Sequence, residues 1–151
     1  MTTRRHLTRL ALASLSLATA ALMGCASMNA PSNMVAMSTA LRGANEVPAN
    51  ASTATGTVDA VLNKDTNLLR WKINYTGLTG PATAGHFHGP AALTANAGVV
   101  LGWATAENGS EGSATLTAAQ AADLVAGRWY ANIHTKAHPG GEIRGQITVR
   151  N

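Results

Sequence analysis

The chain has 151 residues and a formal net charge of +4, a length that allows one domain of ordinary size. Apolar types make up 46% and charged types 12%, which is not the composition of a disordered chain. Three of the basic residues lie within the first nine positions, and from residue 25 onward eight basic residues stand against seven acidic ones. We therefore expect no nucleic-acid-binding surface. The single cysteine excludes an intrachain disulfide.

Residues 1–24 have the pattern of an export signal. Arg4, Arg5 and Arg9 precede a largely apolar run over residues 10–23. A transmembrane helix needs about 20 apolar residues, so this shorter run favours the hydrophobic region of a signal peptide. The paired arginines also fit a twin-arginine signal, which leaves the general secretory and twin-arginine export routes both open.

Cys25 directly follows Leu22-Met23-Gly24, and this segment resembles the lipobox of bacterial lipoproteins, in which the cysteine is lipidated. The alternative is a plain secretory signal followed by an unmodified cysteine. We interpret residues 25–37 as the lipidated cysteine and an uncharged tether, and residues 38–151 as the folded domain. The resemblance implies a protein anchored in the cell envelope, in the outer membrane facing the periplasm or the exterior, because Ala26 rather than an aspartate follows the cysteine.

Most of the domain has the period-two alternation of β-strands. In residues 68–76, Leu69, Trp71 and Ile73 share one face and Lys72 lies on the other, which predicts a half-buried antiparallel strand. The same reasoning predicts further strands at residues 54–62, 83–88, 98–104, 112–116, 128–135 and 142–150.

One segment departs from this alternation. Thr117 and Gln120 have the spacing of a capping box, and Gly127 follows an alanine-rich stretch. This pattern predicts a short helix over residues 118–126. Together the elements predict an all-β protein, an antiparallel Greek-key β-sandwich with one short helix.

The histidines beyond the signal fall into two motifs. His86 and His88 are two residues apart in a predicted strand, so their side chains share a face opposite Phe87. In the second predicted strand, Asn132 and His134 likewise share a face, together with Tyr130.

A His-x-His strand with a third imidazole from another strand is a workable site for copper or zinc. We therefore interpret His86, His88 and His134 as candidate ligands. The fourth ligand could be His138 in the following loop, a water molecule or Glu142. The alternative is that the histidines only hydrogen-bond to loops and bind no metal.

Taken in order, these motifs resemble the CHRD domain, named after chordin and also present in many bacterial exported proteins. The resemblance spans residues 38–149. It rests on LRGANEVP at 41–48, YTGLTG at 75–80, AGHFHGPA at 84–91, the helical segment at 116–127, and YANIHT with PGGEIRGQ at 130–146. By analogy with chordin, the resemblance implies extracellular binding rather than catalysis. Our first hypothesis is a non-enzymatic envelope lipoprotein that binds a metal or a protein partner.

The His-x-His strand followed by a glycine also resembles the copper strand of Cu/Zn superoxide dismutases, which implies an alternative function as a periplasmic redox enzyme. In that case Arg144 would resemble the arginine near copper. A third alternative is a structural module without metal.

The remaining polar candidates have structural and functional interpretations. Glu46 could pair with Arg144, sit at the metal site, or accept backbone N–H groups in a turn. Glu142 and Arg144 share a predicted strand face, which favours an ion pair or a strand-to-loop clamp. Asn132 could hydrogen-bond to a loop carbonyl, or it could orient an imidazole ligand without binding the metal itself.

Overall fold

The computed structural model of the protein describes residues 33–150, so the predicted signal peptide, Cys25 and the first part of the predicted tether lie outside the described residues. The described part contains nine strands, one α-helix and a short 3-10 turn at Gly43–Asn45. The elements in chain order are β1 (Met34–Arg42), β2 (Thr55–Asn63), β3 (Leu68–Thr76), β4 (Ala82–His88), β5 (Val99–Gly102), β6 (Glu111–Thr115), α1 (Ala118–Val125), β7 (Tyr130–Thr135), β8 (Ile143–Gln146) and β9 (Thr148–Val149).

The strands form one antiparallel sheet in the order β5-β4-β7-β8-β1-β2-β3-β6, with β9 paired to β1. The bridge between β8 and β1 is confined to Arg42 and Arg144, and the sheet curls there so that its two halves face each other. Trp71 on β3 packs edge-on against Phe87 on β4, with ring centroids 5.2 Å apart. The predicted all-β, sandwich-like fold is confirmed.

The hydrophobic core lies between the two halves of the sheet. Strand β3 has the predicted bounds and the predicted alternation: Trp71 and Ile73 are buried, whereas Lys72 between them is exposed. The largest buried side chains opposite them on β4, β7 and β8 include Phe87, Ile133 and Ile143. Burial of such side chains is the main source of stability in a domain of this size.

The predicted helix is α1, and its capping box is formed. The backbone amide of Gln120 donates to Thr117 Oγ1 over 3.2 Å, and the backbone amide of Thr117 donates to Gln120 Oε1 over 2.9 Å. Leu124 fixes the helix to the core, and Gly127, at φ +71°, ends it. No helix within residues 33–150 has the length and hydropathy needed to cross a membrane.

Most predicted bounds shift by one or two residues, and the larger departures from the sequence prediction concern β1, β5 and the last predicted strand. Strand β1 was not predicted and begins at Met34, four residues before the expected start of the domain. The predicted strand at residues 142–150 is divided into β8 and β9 by Ile147, which is buried and donates its amide to Trp129 O over 2.9 Å. Strand β5 is shorter than predicted.

Candidate metal site

The outer face of strands β4, β7 and β8 is polar. Phe87 points into the core and is fully buried, so its neighbours His86 and His88 face outward. In register, His86 lies opposite Asn132 and His88 lies opposite Tyr130. The predicted sharing of a face by the paired histidines is confirmed.

A covering segment, residues 89–98, folds back from β4 over this polar face. Arg144 Nη2 donates to Ala95 O over 2.7 Å, and Gln146 Nε2 donates to Ala91 O over 3.0 Å. His88 Nδ1 lies 3.0 Å from Ala97 O. The outward-facing side chains are therefore largely buried, with His88, Asn132 and Arg144 at most 8% exposed.

The nitrogens of three histidines converge beside this cover, where His88 is buried and His86 and His134 are half-buried. His86 Nδ1 lies 3.1 Å from His134 Nε2, and one ring nitrogen from each of His86, His88 and His134 lies within 4.8 Å of the others. A tetrahedral ion bound at about 2.0–2.1 Å needs nitrogens about 3.3 Å apart. One pair already meets this spacing, and the third nitrogen lies within 4.8 Å of both.

Two of the rings have their tautomers fixed by backbone carbonyls. His88 Nδ1 lies 3.0 Å from Ala97 O, and His134 Nδ1 lies 3.0 Å from Pro139 O. Since a carbonyl oxygen only accepts, each Nδ1 donates its hydrogen and each Nε2 keeps its lone pair. Both lone pairs face the centre of the cluster. Metal-binding histidines are commonly oriented in this way, by a hydrogen bond at the ring nitrogen that does not bind the metal.

The environment also favours neutral rings. Burial lowers the pKa of His86, and the neighbouring His134 and His88 lower it further. Burial likewise lowers the pKa of His88, although the oxygens of Ala97 and of the Asn132 side chain beside the ring oppose the shift. Neutral imidazole is the form that binds a metal ion.

The structure leaves His138 outside this cluster. The backbone of His138 closes the turn after β7, where its amide donates to Thr135 O over 3.2 Å. Together with Glu46, His138 lines a neighbouring cavity of about 280 Å³. The group of nitrogens within 4.8 Å contains the other three histidines only, among the described residues. His138 is therefore not positioned as the fourth ligand.

Glu142 is also not positioned as a ligand, because both of its oxygens are already hydrogen-bonded. Oε1 accepts from Ser52 Oγ over 2.8 Å and from the Thr79 amide over 2.9 Å. Oε2 accepts from Thr79 Oγ1 over 2.7 Å and from Thr135 Oγ1 over 2.6 Å. Burial alone would raise the pKa of Glu142, but the hydrogen bonds from Thr135, Thr79 and Ser52 outweigh it and lower the pKa to about 2. These four hydrogen bonds tie Glu142 to Ser52, Thr79 and Thr135, and we call this arrangement the Glu142 clamp.

Arg144 binds the covering segment and forms no ion pair with Glu142 in the described structure. Its Nη1 donates to Asn96 Oδ1 over 2.9 Å, and its Cζ lies 3.4 Å from the centroid of the Tyr130 ring. Tyr130 was not among the predicted site residues, although its even spacing from Asn132 and His134 placed it on the same face. The cation–π contact positions Tyr130 against His88.

Glu46 is buried at 7% exposure, and its Oε1 has no hydrogen-bond partner. Burial raises the pKa of this carboxyl to about 7, against the opposing effect of the Arg144 charge. The expected backbone N–H partners are absent at Oε1, and Glu46 forms no salt bridge with Arg144 in the described structure. Glu46, Arg144 and Gln146 line a cavity of about 420 Å³.

Comparisons with known proteins support one assignment. No curated protein and no solved structure shows a significant match to the chain. The model of the CHRD domain family matches residues 37–147, which include most of β1, the histidine strands β4 and β7, and β8. Since this match covers well over half of the sequence, the chain belongs to the CHRD domain family.

Proposed function

We propose that this protein is an envelope-anchored CHRD-domain lipoprotein whose domain binds copper or zinc through His86, His88 and His134. The observation that carries the proposal is the convergence of three ring nitrogens within 4.8 Å. All-imidazole ligation suits both metals. The domain acts as a binding module rather than an enzyme.

The alternative of purely structural histidines explains less of the geometry. A ring that only fixes a loop needs one partner, and the Nδ1 atoms of His88 and His134 already have theirs in Ala97 O and Pro139 O. The opposite nitrogens nevertheless turn toward a common centre instead of toward solvent. A shared cation is the partner that such lone pairs accommodate.

The dismutase-like alternative has weaker support. Arg144 is 1% exposed and hydrogen-bonds to Ala95 and Asn96 of the covering segment, so it is not free to guide an anion to a metal. Superoxide turnover by the copper-loaded protein would favour this alternative over a binding module.

The anchoring part of the proposal rests on the sequence alone. Cys25 ends the apolar run at the position that a lipobox requires, and lipidation there would hold the domain at a membrane surface. The residues between Cys25 and β1 are uncharged and would serve as the tether.

The test is a metal titration of the purified protein after removal of bound metal. We expect one Zn²⁺ or Cu²⁺ per chain and a raised unfolding midpoint, because the metal binds the folded state. His134→Ala should abolish both effects, whereas His138→Ala is the matched control and should retain them. A wild-type protein that takes up no stoichiometric metal would contradict the proposal.

A further inference from the structure

The side chain of Asn132 lies between two rings of the histidine cluster. Its Oδ1 is 3.0 Å from His134 Nε2 and 3.1 Å from His88 Nε2. The carbonyl contacts at the Nδ1 atoms leave both Nε2 atoms with lone pairs, and an amide oxygen only accepts. Three acceptors therefore meet at one place, an arrangement that a bound cation stabilises.

If the Asn132 amide were reversed, its Nδ2 would donate hydrogen bonds to both rings. The surroundings of Nδ2 in the present orientation, however, argue against this reversal. Asn132 Nδ2 and Glu46 Oε1 flank Gly141, where an added Cβ would lie 2.9 Å from the former and 2.5 Å from the latter. The amide N–H groups thus lie on the side of a buried carboxyl oxygen that has no partner. Reversal would place the amide oxygen on that side instead.

The distances fit a four-ligand site. Three ligand pairs are 3.0–3.1 Å apart: His86 with His134, His134 with Asn132, and His88 with Asn132. The edge of a tetrahedron around a metal bound at 2.0–2.1 Å is about 3.3 Å. Building on the proposed metal site, we propose that Asn132 Oδ1 is the fourth ligand and completes a set of three nitrogens and one oxygen.

This ligand set selects the class of metal. Among the described residues the sulfur-bearing side chains are Met34 and Met37, both on β1, and Met37 is buried in the core. Cu⁺ is favoured by sulfur ligands, whereas imidazole with a carbonyl oxygen suits divalent ions. The site therefore takes Zn²⁺ or Cu²⁺ in preference to Cu⁺.

The fourth protein ligand also bears on what the metal does. Catalytic zinc sites keep one position open for water or substrate, whereas structural sites are closed by four protein ligands. With Asn132 coordinated, all four positions are taken by protein ligands, and the site borders the covering segment at His88. Metal binding then serves the stability of this polar face rather than a reaction.

The experiment compares Asn132→Asp and Asn132→Ala with wild type in the full chain. Asn132→Asp keeps an oxygen at the same place and adds charge, so Zn²⁺ should bind more tightly. Asn132→Ala should weaken Zn²⁺ binding by more than the 10- to 100-fold, roughly, that loss of a residue that only orients the ligands would cost. Both variants should change the electron paramagnetic resonance spectrum of bound Cu²⁺. Thr94→Asp, which adds the same charge at an exposed position of the covering segment, should change neither quantity.

Two results would overturn this inference, and they are distinguishable. If wild type binds metal, His134→Ala loses it, and both Asn132 variants keep the wild-type affinity and Cu²⁺ spectrum, Asn132 is not a ligand although the three-histidine site stands. If wild type binds no metal at all, the proposed function fails as well. Because Asn132→Asp is nearly isosteric, the comparison remains decisive even if Asn132→Ala does not fold.

Discussion

The imidazole of His88 lies parallel to the phenol ring of Tyr130, with the ring centroids 4.7 Å apart. Strand β7 runs between β4 and β8, so Tyr130 stands between His88 and Arg144, whose Cζ lies 3.4 Å from the phenol centroid. The Tyr130 hydroxyl also lies 3.3 Å from both the amide and the carbonyl of Ala97. Tyr130 therefore positions a candidate ligand and the covering segment together.

Replacement of Tyr130 tests this positioning. Tyr130→Leu removes the stacked ring and should weaken Zn²⁺ binding about 10-fold, the lower end of the effect of groups that orient metal ligands. Tyr130→Phe keeps the ring and loses only the contacts to Ala97, so it should bind nearly as wild type does. Isothermal titration of both variants measures the difference, and equal affinities for Leu and Phe would contradict the role of the ring.

The pH dependence of metal binding follows from the lowered pKa values of His86 and His88. Burial lowers both from the ordinary value of 6.5, so these two ligands are predominantly neutral between pH 8 and 7. As the pH falls further they take up protons and release the metal. We expect little change in the Zn²⁺ affinity between pH 8 and 7 and a steep loss at more acidic pH; a loss of 10-fold already between pH 8 and 7 would contradict this expectation.

The Glu142 clamp should be a major contributor to stability. Glu142→Gln leaves buried hydroxyl and amide donors with poorer partners, at a cost of about 2 kcal/mol or more in the free energy of unfolding. The control is Glu111→Gln, which breaks an exposed pair with Lys72 worth at most about 1 kcal/mol. Urea denaturation at pH 7 measures both values, and equal effects of the two variants would argue against the clamp.

The clamp also predicts a pH dependence. The folded-state pKa of Glu142 is about 2, below the ordinary 4.5, so its contribution is complete above pH 4.5 and is lost as the pH falls toward 2. The free energy of unfolding of wild type should therefore fall more steeply over this range than that of Glu142→Gln.

Much of the fold could be predicted from sequence, because the period-two pattern is clear in strands where apolar residues alternate with charged ones. Strand β3 has this pattern, and its bounds were predicted correctly. Strand β1 was missed because Ala36, Ser38 and Ala40 are small and weakly polar, so its two faces differ little in hydropathy. The break at Ile147 depends on a contact with Trp129, which no local pattern reveals.

The candidate site was only partly predictable for a similar reason. The spacing of His86 and His88 determines that they share a face, whatever the tertiary structure. Burial of that face depends on the covering segment, whose return across the sheet is a long-range event. The hydrogen bonds that Glu142 accepts from Ser52 and Thr79 join residues that are equally remote in sequence, which is why Glu142 was considered as a metal ligand.

Glu46 should reduce stability as it ionises. Its folded-state pKa is about 7, compared with an ordinary 4.5, so between these values the folded state retains a proton that the unfolded state has lost. The contribution of Glu46 to the free energy of unfolding should therefore fall as the pH rises from 4.5 to 7, by about 2 kcal/mol, while the lowered pKa values of His86 and His88 act in the opposite direction. The other titratable or charged side chains that line the two cavities beside Glu46 are those of Arg144 and His138.

Replacement of Glu46 isolates this effect. Glu46→Gln should remove the decline and leave the protein more stable than wild type at pH 8, whereas Glu107→Gln, at an exposed position, should leave the decline unchanged. Thermal unfolding at pH 5 and pH 8 provides the measurement. A decline of the same size in Glu46→Gln would assign it to another group.

Membrane attachment should depend on the single cysteine. If Cys25 is lipidated, its acyl chains bury in the bilayer at about 0.8 kcal/mol per CH₂ group, and more than one chain gives stable anchoring. Cys25→Ser removes the attachment point and should move the protein from the membrane fraction to the soluble fraction. The matched control is Ser27→Ala, which changes the adjoining segment without affecting the thiol. Mass spectrometry of the wild-type amino-terminal peptide should show the added lipid, and an unmodified peptide or a Cys25→Ser protein that still sediments with membranes would contradict the anchor.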